Sequence, residues 1–133
     1  MTGTARSTSL AGAPSALLGA TLAAALLSAT PAAAERWRQV PGGANVALSI
    51  DLDSIKREGP WRVFRTRTTS LGMPGSVLGV VAMHCQAGIT ELRAQRAFVG
   101  NKLQRERVFP VGKRPRQKLP TPSKDSAFRM VCA

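Results

Sequence analysis

From residue 35 onward, apolar and polar positions alternate in short runs cut by Gly, Pro and Asn, a pattern that predicts strands joined by tight turns. Trp37 to Val40 is a short extended opening, broken by Pro41-Gly42-Gly43. Val46 to Ile50 reads as a strand. Asp51-Leu52-Asp53-Ser54 marks a turn at its end, because short polar side chains bond to nearby backbone. Glu58-Gly59-Pro60 punctuates the chain before Trp61 to Thr69, rich in β-branched and aromatic residues. Gly72 to Gly75 forms a loop.

Val77 to Gln86 carries the clearest strand signal. Val77, Gly79, Val81, Met83 and Cys85 share one face; Leu78, Val80, Ala82 and His84 share the other. Both faces are mostly apolar, so a central strand is expected, covered on both sides by a second layer or a second subunit. Thr90 to Val99 follows, and Gly100-Asn101 supplies a two-residue hairpin loop of the kind that needs positive φ. Lys102 to Phe109 reads as an outer strand whose charges discourage pairing with another chain. Pro110 to Pro122 is a proline-punctuated basic stretch unfit for a sheet interior. After it, Ser123 caps a predicted helix from Lys124 to about Cys132, with Phe128, Val131 and Cys132 on one side. The strand propensity of Phe128 to Cys132 is the competing reading. The expected fold class is α+β: an antiparallel sheet of five to six strands with a C-terminal α-helix packed on one face.

The first 34 residues have another composition. Arg6 is their one charge, the stretch from Leu10 to Ala29 is apolar, and small residues stand at Ala32 and Ala34. A positive start, an apolar core and small residues before the junction are the parts of a secretory signal peptide. Cleavage is expected after Ala34, leaving Glu35 to Ala133 as the exported domain. The other reading, an uncleaved membrane anchor, suits the length of the apolar run but not its interruption by Pro14 or its many Ala and Gly residues. With cleavage, no transmembrane segment remains, and the periplasm, the extracellular medium or the cell surface is the expected destination.

Charge and cysteines then sharpen the picture. The chain has 19 Lys and Arg against 7 Asp and Glu. Setting Arg6 aside leaves 18 basic side chains in the exported part, a balance of +11. Its two cysteines, Cys85 and Cys132, admit one pairing, and an oxidising compartment favours it. The bond would staple the terminal helix to the sheet face that carries Val81 and Met83.

An early Trp37, the run from Val46 to Ile55, then Gly59 and the strand Trp61-Arg62-Val63-Phe64 resemble bacterial surface-adhesin protein E-like domains. So do Cys85 ahead of a hairpin and the terminal segment Ser126 to Cys132. The resemblance covers nearly all of residues 35–133. It implies an exported α+β domain that is often a dimer, in a family whose adhesin binds host matrix and plasma proteins. No Cys lies near the expected junction after Ala34, so a lipid anchor of the adhesin's kind is not available here.

Reactive chemistry is sparse. The single histidine, His84, adjoins Cys85, but neighbours on a strand point to opposite faces and cannot form a Cys-His pair. One histidine is also short of a zinc ligand set. Asp51 and Asp53 begin like a calcium loop, yet Ile55, Lys56 and Arg62 occupy the positions that pattern reserves for Asp or Asn, Gly and Glu. Neither catalytic residues, a metal site nor a cofactor is expected, and the chain does not read as an enzyme. The best local candidate is the segment holding Lys113, Arg114, Arg116 and Lys118, kept extended by Pro110, Pro115 and Pro120. Such spacing can touch successive anionic groups on a polymer. Its alternative is a solvated loop whose arginines reflect an Arg-rich composition. Arg65 and Arg67 can extend such a patch, while Arg62 alternates to the other face. The partners implied are an anionic polymer or a host or envelope protein, with no specific nucleic acid. A periplasmic assembly accessory acting as a homodimer is the second reading.

Overall fold

The computed structural model describes Gly12 and residues 35–133. The signal-peptide reading of residues 1–34 lies outside the described residues. Seven strands follow in chain order: β1 Trp37–Gln39, β2 Val46–Glu58, β3 Trp61–Ser70, β4 Ser76–His84, β5 Ile89–Val99, β6 Lys102–Val108 and β7 Arg116–Lys118. They close with one short helix, α1 Ser126–Cys132. The strands form a single antiparallel meander, β1-β2-β3-β4-β5-β6, with β7 also paired to β5. This is the α+β arrangement the pattern predicts. No helix among the described residues is long and apolar enough to cross a membrane.

Register fixes which residues share a face. Phe64 opposes Val81, and Ile50 opposes Thr66. These side chains face α1, where Ile50, Phe64, Met83 and Val131 make the buried core. Leu119 and Phe128 pack against that cluster. The Cys85–Cys132 disulfide bonds the end of β4 to the end of α1, with Cα atoms 5.6 Å apart. It joins the two residues expected and holds the helix over one end of the sheet. On the opposite face, Arg65 stands across from Val80 and Arg67 across from Leu78. Arg62, across from Met83, belongs to the core side, as alternation required.

Three expectations are corrected. The predicted turn at Asp51 to Ser54 is instead an irregularity inside one long strand, where the β2–β3 register shifts between Asp51 and Lys56. Short polar residues suit a bulge as well as a turn, and Ser54 settles this one by donating to the Asp51 carbonyl and accepting the Arg65 amide. The helix does not start at Lys124 under a Ser123 cap. Pro122–Lys124 makes a single 3-10 turn, and Asp125 caps α1 by accepting the Phe128 amide at 2.8 Å. Last, the strand count rises to seven because Arg116–Lys118 pairs with Ile89–Glu91 at the sheet edge. The prolines forbid a sheet interior, not an edge.

Candidate functional site

The basic segment predicted from sequence lies on that edge. β6 runs along one part of β5 and β7 along the other, so residues 102–118 line the same side of a strand 11 residues long. Between them the chain leaves the sheet and returns: the Phe109 amide donates to the Arg93 carbonyl and the Leu92 amide to the Pro115 carbonyl, both at 2.9 Å. The excursion turns at Pro110-Val111-Gly112-Lys113, closed by the Lys113 amide on the Pro110 carbonyl at 3.0 Å. Gly112 takes φ +89° there, a conformation the third position of a type II turn requires.

The four predicted residues separate into two pairs. Arg114 and Arg116 converge on Glu91, a β5 carboxylate only 2 % exposed. Arg114 reaches one oxygen at 3.2 Å and Arg116 the other at 2.8 Å. Arg93 adds a third contact at 3.2 Å and also binds Glu58 at 2.8 Å. Arg116 further lies 5.5 Å from the Trp61 ring centre, and Trp61 meets His84 edge to face. Burial pushes the Glu91 carboxyl up, but the hydrogen bonds from Arg116, Arg114 and Arg93 outweigh it and hold its pKa below 4.5. Lys113 and Lys118 are exposed and have no carboxylate partner among the described residues. The segment is therefore an anchored strip rather than a free loop: two arginines fasten it and two lysines project.

From sequence alone Lys102 to Phe109 reads as a separate, defensive edge. The fold instead joins it to the predicted segment. Lys102, Arg105 and Arg107 are exposed and likewise unpaired among the described residues, while Glu106 is taken by Arg96 at 3.3 Å. Residues 102–118 thus carry seven cations against one acid, with five of the cations free. The sequence pattern does not show the link between the two stretches because it passes through β5, whose pairing to residues 116–118 spans 25 to 29 positions.

A second buried carboxylate organises the other end of the sheet. Asp51 accepts the amides of Arg36 at 3.1 Å and Asp53 at 3.2 Å and is ion-paired with Arg65. Burial raises its pKa, and these bonds together lower it beneath 3.8. Arg65 also reaches Glu35 at 3.1 Å. His84, the one imidazole, accepts the Ala87 amide on Nδ1 at 3.0 Å and serves the turn after β4. No protein-family model, curated protein or solved structure matches this chain.

Proposed function

We propose that this chain is an exported, non-enzymatic binding domain of the surface-adhesin protein E-like kind, and that it contacts anionic polymers through the edge formed by residues 102–118. The observation that carries the reading is the set of five cations along that edge that have no carboxylate partner among the described residues. A strand of 11 residues is about 34 Å long at roughly 3.4 Å per residue. Lys102, Arg105, Arg107, Lys113 and Lys118 are distributed along it, a spacing suited to a linear polyanion and not to one small ligand. Glu91 supports the reading further, because a fastened strip loses less conformational freedom on binding than a mobile loop. The resemblance in Trp37, Val46 to Ile55, Trp61 to Phe64, Cys85 and Cys132 supports the adhesin-like part of the reading.

Heparin chromatography of the exported protein is the test. The variant K113Q/K118Q, combined with K102Q/R105Q/R107Q, removes the free cations and leaves the Glu91 cluster intact. The parent is expected to elute above about 0.15 M salt and the variant well below it, since each phosphate- or sulfate-type contact steepens salt dependence. A parent that elutes below physiological salt, or a variant that elutes with the parent, rejects the proposal.

A further inference from the structure

The sheet face turned away from α1 holds a concavity of about 420 Å³, inside the size range of small-molecule sites. Residues of β1, β3, β4, β5 and β6 all line it. Register shifts in the β4–β5 and β5–β6 ladders accompany this curvature, as bulges bend the strands that carry them. Its floor is apolar, with Leu78, Val80 and Ala94, and the exposed Val108 extends that band across three strands. Its rim is cationic: Arg65, Arg67, Arg96 and Arg107 line it against only Glu35 and Glu106.

Those carboxylates are already committed, Glu35 to Arg65 and Glu106 to Arg96. Arg67 differs. It pairs with no carboxylate among the described residues and is held with its guanidinium carbon 4.2 Å from the centre of the Trp37 ring. A ring face satisfies part of the cation's electrostatic demand and leaves the N–H groups at its edge for an anion. An apolar band that starts beside such a cation is complementary to one class of molecule.

We propose that this concavity binds a monomeric anionic amphiphile, its head group on Arg67 beside Trp37 and its aliphatic tail along Leu78, Val80, Ala94 and Val108. From β3 to β6 there are three strand spacings, about 14 Å, which sets the tail's reach. The site adjoins the proposed polymer-binding edge at β6, whose Arg107 and Val108 also line it, but it uses none of that edge's free lysines. A neutral amphiphile would fill the band but leave Arg67 unmatched, and a bare anion would meet the cation without the apolar contacts.

Trp37 supplies its own reporter. The chain has two tryptophans, so W61F leaves Trp37 as the only one. The exported W61F protein is titrated with sodium decanoate below its micelle threshold, and with decanol and acetate as controls. Saturable change in Trp37 emission with decanoate is expected, with both controls at least about tenfold weaker. Adding R67Q should weaken decanoate about tenfold, and R67K should restore part of the loss, because the charge returns without the planar stack. L78N should weaken decanoate while leaving circular dichroism unchanged. K113Q/K118Q should leave it unaffected, which keeps this test apart from the heparin test. Equal binding of decanol, no saturation, indifference to R67Q, or loss of binding in K113Q/K118Q overturns the proposal.

Discussion

Replacing Glu91 by Gln probes the cluster that fastens the basic edge. The substitution keeps the shape and one acceptor oxygen but removes the charge facing Arg93, Arg114 and Arg116. Taking one partner from a buried ion pair costs roughly 3–5 kcal/mol. Two features lower that figure here: Arg116 is 61 % exposed and can turn to water, and Arg93 keeps Glu58. Arg93 and Arg114, at 14 % and 22 % exposed, have less freedom to do so. A loss of about 2–3 kcal/mol remains, equivalent to a Tm drop of about 10–20 °C for a domain of this size. The sign of the pH dependence follows from the lowered carboxyl. Its stabilisation is complete above its ordinary value of 4.5 and disappears as pH falls through the lower value of the folded state. The gap between parent and E91Q should therefore narrow progressively as pH falls below about 4.5. Thermal melts at several pH values give the answer. A gap under about 3 °C at neutral pH, or one that widens in acid, would refute the assignment of Glu91 as the fastening charge.

Other consequences can be checked alongside. The double variant C85S/C132S opens a loop closed across 47 positions, worth about 4 kcal/mol by loop entropy, so its urea midpoint should fall sharply and α1 amides should lose exchange protection first. Gly88 takes φ +64°, and a Cβ there would lie 2.5 Å from Pro122 Cγ; G88A should cost about 1–3 kcal/mol, read by denaturant titration. Gly79 is buried, and a Cβ there would lie 2.6 Å from Thr66 Oγ1, so G79A should lower Tm although β4 otherwise accepts Ala well.

Much of the sheet was legible because its signals are local. Val77 to Gln86 and Trp61 to Thr69 announce strands through side-chain type and alternation, and Gly100-Asn101 announces its hairpin. The cysteine pair was legible by count. What escaped notice depends on partners distant in sequence. Asp51 looked like a turn residue because Arg65, its ion-pair partner, is 14 positions away. Glu91 looked like one more strand acid because two of its arginines arrive from 23 and 25 positions further on. Arg116 to Lys118 carries no apolar residue, hence no alternation, and only the edge left open by β6 made it a strand. Asp125 and Ser123 are both good caps; the 3-10 turn opened by Pro122 moved the helix start to Asp125.

The proposed polymer-binding edge is tested most directly by mapping amide shifts of the isotopically labelled protein during titration with a heparin oligosaccharide. Shifts concentrated along residues 102–118, with smaller ones at neighbouring Trp61, are the predicted result. Shifts spread evenly over Arg38, Arg57, Lys124 and Arg129 as well would mean diffuse attraction to a basic surface and would contradict the account.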